Sequence, residues 1–302
     1  MFSLWEVLLQ QLVNGLILGS FYALVALGYS MVYGIIKLLN FAHGDIYMTG
    51  AFVCLSVFGV LSITFPGWPG IVGSILVAMV IAGYLGYLAQ RFAYRPLLGA
   101  PRLSLLITAI GVSLVISNSV MVINNQPMFF ISGLDNSAGI RLGSITITYI
   151  QIILLTTSAL LMLGLTFFIG NTMIGKAMRA ISLDKDTCRL MGINVNRIIG
   201  MTFVIGSALA AVAGGMACVY YGNVQYNMGF TIGIKAFTAA VIGGIGSIPG
   251  AMLGWLLLGL LEAIGTQFVG SSWKDVFAFG LLILILIIRP NGLLGKSEIE
   301  RM

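Results

Sequence analysis

The stretch GKAMRAISLDKDTCRLMGINV, residues 175–195, is the one long charged island in a chain that is otherwise compatible with hydrocarbon. It holds Lys176, Arg179, Asp184, Lys185, Asp186 and Arg189, although the 302-residue chain has only 15 Lys or Arg and nine Asp or Glu. The chain is 59% hydrophobic and 8% charged, with a mean hydropathy of +1.06, against about 25% charged residues in soluble domains. Such a composition describes a polytopic integral membrane protein, read here as a single domain over residues 1–302. A hydrocarbon core of ~30 Å needs about 20 apolar residues per helical crossing, and its backbone must be satisfied within helices or a closed barrel. The apolar runs lack the period-two alternation of a barrel. The expected fold is therefore all-α, a bundle of transmembrane helices.

Working outward from the island, apolar segments cover approximately residues 7–36, 46–64, 70–90, 103–123, 149–170, 198–221, 236–246, 250–269 and 275–289. Loop 91–102 carries Arg91, Arg95 and Arg102 with no acid, and the segment 171–197 carries five Lys or Arg. Cytoplasmic loops are the ones rich in Lys and Arg, so both face the cytoplasm. Loop 124–148, with only Asp135 and Arg141, faces outside. Counting back places the N-terminus outside, and Arg289, Lys296 and Arg301 place the C-terminus inside. Opposite ends require an odd number of crossings. The count is seven to nine, because 236–246 is short enough to be re-entrant. Segment 7–36 is too long for one upright span, which points to a tilt, or to a break after Tyr33 and Gly34.

Several features exclude other readings. Residues 1–6 contain Glu6 and no base, so no secretory leader is expected. Cys54, Cys188 and Cys218 are odd in number and scattered, which fits small apolar packing rather than disulfides. The net charge of +6 lies at segment ends, as topology demands, and no nucleic-acid partner is expected. Residues 170–177, GNTMIGKA, approach a phosphate-binding loop, but Ala177 stands where the magnesium-binding hydroxyl belongs. Residues 243–250, GGIGSIPG, approach a dinucleotide fingerprint, but Pro249 takes the third glycine's place. No cofactor is expected on this chain.

The 39 glycines recur at helix-packing spacing. Gly15 and Gly19, then Gly206, Ala210 and Gly214, then Gly246, Gly250 and Gly254 repeat every fourth residue, which lets backbones approach closely in lipid. The polar insert Asn40, Phe41, His43 and Asp45 reads as a non-helical break between segments. One histidine beside one acid is too few ligands for a metal, so its roles are bonding freed backbone groups or lining a wet pathway. Lys235, opening the segment 236–246, and Glu262, in an apolar span, are intramembrane ionisable groups and therefore pathway candidates with Phe237. Either could instead snorkel to the interface. Within the island, Asp184 reads as an N-cap, Asp186 and Arg189 complement the helix dipole, and Gly192 follows as a C′ residue, giving a short helix over 185–191. Cys188, Met191, Ile181, Leu190 and Ile193 form its apolar patch. That patch suits insertion into a partner's groove or rest on lipid headgroups.

AMRAISLDKDTCRLMGINVNR (177–197), TFVIGSALAAVAGG (202–215), KAFTAAVIGGIGSIPGAMLG (235–254) and WKDVFAFGLLILILIIRPNGLLG (273–295) together resemble the branched-chain amino acid ABC transporter permeases of the LivH type. NGLILGSFYALVALGYSMVYGIIKLLNFAHGDIYMTGAF (14–52) resembles the same family. The resemblance implies a permease of the bacterial inner membrane that is not itself an enzyme and moves leucine, isoleucine or valine by alternating access. It implies that 171–197 is the loop coupling the chain to a cytoplasmic ATPase, through Arg179, Ala180, Asp184, Arg189, Gly192, Ile193 and Asn194. It implies as partners a second related permease in a heterodimer or homodimer, two ABC ATPases that use ATP and Mg²⁺, and a periplasmic binding protein. Permeases for urea or amides share these motifs, and a stand-alone secondary transporter or channel is the reading from another class.

Overall fold

The computed structural model describes residues 4–37, 40–97, 99–124, 128–129, 138–142 and 145–295. Asp135, Lys296 and Arg301, used above for topology, lie outside the described residues. The helices are α1 (Leu4–Ile36), α2 (His43–Leu61), α3 (Trp68–Leu88), α4 (Arg102–Ile123), α5 (Tyr149–Asn171), α6 (Met173–Leu183), α7 (Lys185–Leu190), α8 (Val195–Tyr221), α9 (Met228–Gly243), α10 (Ile248–Val269) and α11 (Lys274–Ile288). Among the described residues, eight helical stretches are long and apolar enough to cross a membrane, and the 16-residue α9 is a shorter apolar helix. At 1.5 Å per residue α9 is about 24 Å long, short of an upright ~30 Å crossing. This is a multi-pass membrane protein.

α1 forms the axis of the bundle. It is apolar all round, and most of its residues from Gly15 to Ile36 are buried, as befits a helix surrounded by others. α10 runs antiparallel to it. A Cβ at Gly15 would lie 2.9 Å from the Leu260 Cα, and one at Gly19 would lie 2.4 Å from the Trp255 ring. The helix is continuous through Tyr33 and Gly34 to Ile36, so the expected break falls later, at Lys37, whose φ of 60° ends the helical run. α8 packs the other side of α1, where Gly206 meets Gly28, and Gly214 meets the Tyr47 carbonyl of α2. Gly254 is another close approach, since a Cβ there would fall 1.9 Å from the Ala239 carbonyl oxygen of α9. Gly250 packs against Gly243 in the same way. Gly246 differs from its expected helical place. α9 ends at Gly243, and Gly244 (φ 110°) and Gly246 (φ 87°) make the turn into α10, with Gly246 resting on Gly34.

The outer helices carry the apolar surface that lipid covers, including Val72, Leu76 and Val80 on α3, Ile107, Leu114 and Val115 on α4, Leu160 and Phe167 on α5, and Ile283 and Ile287 on α11. Cys54, Cys188 and Cys218 are buried. The described residues also include four short strands, which the apolar periodicity does not predict. β2 (Gly139–Leu142) and β3 (Ile145–Thr148) form a hairpin, while β1 (Met128–Phe129) pairs with β4 (Asn223–Val224) and ties the 124–148 connection to the end of α8. β3 leads directly into α5 through Thr148, which forms a reciprocal capping box with Gln151.

Candidate functional site

The charged island folds as two helices joined at Asp184. α6 starts at Thr172, whose side chain accepts from the Gly175 N–H at 3.0 Å, and it is strongly amphipathic. The capping signals predict a helix only over 185–191, so α6 is an addition. Asp184 closes α6 and opens α7, because its Oδ1 accepts from the N–H groups of Asp186 (2.9 Å) and Thr187 (3.2 Å), while the Thr187 hydroxyl donates to Oδ2. These bonds hold its carboxyl below the usual carboxylate range. Gly192, with φ 81°, allows the Ile193 N–H to reach the Cys188 carbonyl at 3.0 Å, and this closes α7. Asn194 then caps α8 by accepting from the Arg197 N–H at 3.1 Å. Arg179 donates to the Gly170 carbonyl at 3.0 Å, and Arg189 pairs with Asp186 at 2.9 Å. Ala180 is half-buried and packs against the apolar cluster around α1 and α8.

The apolar residues of this segment divide between two faces rather than forming the single patch expected. Met178, Ile181 and Cys188 are buried against Ile35, Ile36 and Ile199. Leu183, Leu190 and Met191 point outward and are 88%, 89% and 78% exposed. Lys185 donates to the Ile36 carbonyl at 3.3 Å, satisfying one of the acceptors that every helix end leaves open and binding α7 to α1. The segment is thus a folded platform, anchored on one face and bare on the other.

The Asn40–Asp45 region differs from the non-helical insert expected. The chain turns at Asn40, whose carbonyl accepts from the His43 N–H at 3.0 Å, and His43 and Asp45 stand in the first turn of α2. An acid is favoured there by the helix dipole. Asn40 accepts from the Tyr94 hydroxyl at 2.6 Å, Tyr94 being placed by a π-helical turn, residues Ala89–Tyr94, at the end of α3. Asp45 accepts from Ser113 of α4. The His43 ring fills a notch at Gly28, where a Cβ would lie 2.2 Å from Nε2. It also meets Tyr29 edge-on at 4.8 Å, and Phe237 closes the group at 6.3 Å from both Tyr29 and Phe41. Five expected residues therefore gather around Tyr29, and with Tyr94 and Ser113 it is the part the sequence reading missed. Nothing in the pattern set these three apart from other aromatic and hydroxyl residues of apolar spans.

Lys235 and Glu262 form a second centre. Neither snorkels. Lys235 lies mid-helix in α9 instead of opening its segment, and both groups are buried. Lys235 Nζ is 3.1 Å from Glu262 and 2.7 Å from Asp275. Glu262 also accepts from the Tyr22 hydroxyl at 2.9 Å and pairs with Lys274 at 3.5 Å. A charge this deep demands a partner, and the centre satisfies that demand by drawing on α1, α9, α10 and α11. Tyr22, Lys274 and Asp275 were not anticipated, although the pair Lys274–Asp275 at the start of an apolar span was the available signal. A third feature is an open cavity of about 340 Å³ at the connection of α8 to α9, lined by Tyr47, Ala217, Tyr221, Asn223, Gln225, Met228 and Ile232.

An apolar helical bundle with its charges paired inward, a folded charged platform at one end and a cavity at the opposite end of α8 defines a membrane permease subunit. Residues 11–286 match the family described as branched-chain amino acid transport system / permease component, and the chain belongs to that family. It is 46% identical over 310 residues to the high-affinity branched-chain amino acid transport system permease protein BraD of Pseudomonas aeruginosa, covering 97% of this chain and 98% of the relative. It is 44% identical over 300 residues to the corresponding LivH of Escherichia coli K12, covering 97% of each. A partial match, 30% over 154 residues, links 49% of this chain to 36% of the permease protein LivM of the same organism.

Proposed function

We propose that this chain is a permease subunit of an ATP-driven importer of leucine, isoleucine and valine in the bacterial inner membrane. The observation that carries this reading is the near full-length kinship to BraD and LivH. The likeness to LivM supports a second, related permease as partner. Two cytoplasmic ATPases and a periplasmic binding protein complete the assembly, and ATP and Mg²⁺ belong to the ATPases. The distribution of Lys and Arg supports an N-terminus outside, a C-terminus inside and the platform 171–197 in the cytoplasm.

In this reading the bare side chains of Leu183, Leu190 and Met191 enter a groove on the ATPase, the mode by which amphipathic helices dock. Arg179, Asp184, Arg189, Gly192 and Asn194 keep the platform folded while it is pushed, and Ala180 and Ile193 pack it on the bundle. The push reaches α1 through Lys185 and Ile36. α1 carries Tyr29, so the Asn40, Phe41, His43, Asp45 and Phe237 cluster lies on the moving route and borders the pathway. Lys235 and Glu262 hold α9 to α10 during that motion. Co-expression of this chain with its neighbouring permease, ATPase and binding-protein genes, followed by leucine uptake into vesicles with and without ATP, tests the proposal. Uptake that needs ATP supports it, whereas leucine uptake by this chain alone, without any ATPase, contradicts it.

A further inference from the structure

The cavity at the α8–α9 connection lies far from the platform. α8 begins at Val195, beside the platform, and ends at Tyr221, on the cavity wall. Its 27 residues put about 40 Å between the two. A volume of about 340 Å³ falls within the range of small-molecule sites, about 300–1,000 Å³. The walls are aliphatic and aromatic, from Ala217, Met228, Ile232, Tyr47 and Tyr221, and among the described residues no Asp, Glu, Lys, Arg or His lines them. Two amides, Asn223 and Gln225, supply the remaining polarity. Asn223 Oδ1 is buried and accepts no hydrogen bond. An unmet acceptor is costly, so the site favours a ligand bringing an N–H donor.

We propose that this cavity is a docking subsite for a zwitterionic amino acid with a branched aliphatic side chain. The α-ammonium, with three N–H groups, donates to Asn223 Oδ1, and the Gln225 amide N–H group donates to the α-carboxylate. The side chain lies against Ile232, Met228 and Tyr47. Amides suit a zwitterion, because its opposite charges neutralise each other and a full counter-ion on the wall would favour one end only. Gly44 of α2 touches Gly229 of α9 beside this wall, so closure between those two helices changes the cavity's width. This inference rests on the transport reading above and adds to it the place where cargo first meets this chain.

The test uses the assembled transporter in lipid nanodiscs without binding protein, with radiolabelled leucine and phenylalanine as probes. Ile232→Trp fills the cavity and is expected to weaken leucine binding at least tenfold. Ile232→Ala enlarges it and is expected to raise the phenylalanine-to-leucine binding ratio about tenfold, the scale on which an aliphatic pocket senses a few methylenes. The ratio does not depend on how much protein folds, so a merely structural role would leave it unmoved. An unchanged ratio in Ile232→Ala, or leucine binding at wild-type strength in Ile232→Trp, overturns the subsite. So does absence of leucine binding to a wild-type transporter that still performs ATP-driven leucine uptake. If the wild-type assembly takes up no branched-chain amino acid at all, the transport reading falls, and the subsite with it.

Discussion

Lys235 of α9 and Glu262 of α10 form an ion pair of 3.1 Å in which the two side chains are 4% and 0% exposed. Coulomb attraction alone does not make such a pair stabilising, because both charges must first leave water. Its consequence is conditional. Asp275 and Lys274 also face the pair, but both are partly exposed, so the fully buried Glu262 still leans mainly on Lys235 and loses its buried cation when Lys235 is removed. Lys235→Met and Glu262→Gln are each expected to destabilise the bundle by about 3–5 kcal/mol, and the double replacement Lys235→Met with Glu262→Met is expected to recover most of the loss. Thermal unfolding of the four proteins in one detergent reads this, and single variants that melt with the wild type would contradict it.

Gly254 stands where a Cβ would lie 1.9 Å from the Ala239 carbonyl oxygen, whereas Gly280 has nothing within 4 Å. Gly254→Ala is expected to cost about 1–3 kcal/mol, the usual penalty of overpacking. Gly280→Ala is expected to be neutral or slightly stabilising, because alanine is the better helix former. Melting temperatures of the two variants provide the comparison, and equal shifts would remove the argument that α9 and α10 touch backbone to backbone.

Asp184 caps α7 with a carboxylate held below its usual range by bonds from Thr187 and Asp186. A depressed folded-state pKa means that the cap is fully effective above the unfolded value of 3.8 and fails only as pH falls below it through the folded value. Amide protection in α7, corrected for intrinsic exchange rates, is therefore expected to be constant between about pH 5 and 8. Asp184→Ala is expected to expose α7 amides to faster exchange, and Asp184→Asn, which also caps well, to restore most of the protection. Equal exchange in Asp184→Ala and wild type would count against the cap.

The extent of the membrane spans was legible because each long helix needs an apolar run of its own, and the runs at 103–123, 149–170 and 250–269 lie within one or two residues of α4, α5 and α10. The caps at Asp184 and the turn at Gly192 were legible for a local reason, since a cap is a contact between residues two to four apart. Lys235 and Glu262 were visible as anomalies, but not as a pair. Their meeting depends on α9 and α10 folding back on each other across the glycine turn at Gly244 and Gly246, a long-range fact with no local signature. His43 was placed in a non-helical insert because polar residues between apolar runs usually mark a loop. The turn at Asn40 instead starts α2 three residues earlier than the apolar run does.

Leu190 is 89% exposed on the face of α7 turned away from the bundle. Leu190→Glu is therefore expected to leave thermal stability within about 0.5 kcal/mol of wild type, as surface changes usually do. It is expected to reduce co-purification of the ATPase subunits, the readout a docking surface controls. Normal ATPase recovery in Leu190→Glu would place the contact elsewhere.

Under the proposed function, this chain moves branched-chain amino acids only when an ATPase pushes on the 171–197 platform. The most direct measurement is uptake of radiolabelled leucine into proteoliposomes holding the complete assembly, with binding protein supplied and ATP present or absent. Accumulation is expected to require ATP, to be reduced by competing valine and isoleucine, and to be abolished by Leu190→Glu. Leucine accumulation that proceeds without ATP, or that Leu190→Glu leaves at the wild-type rate, would contradict it.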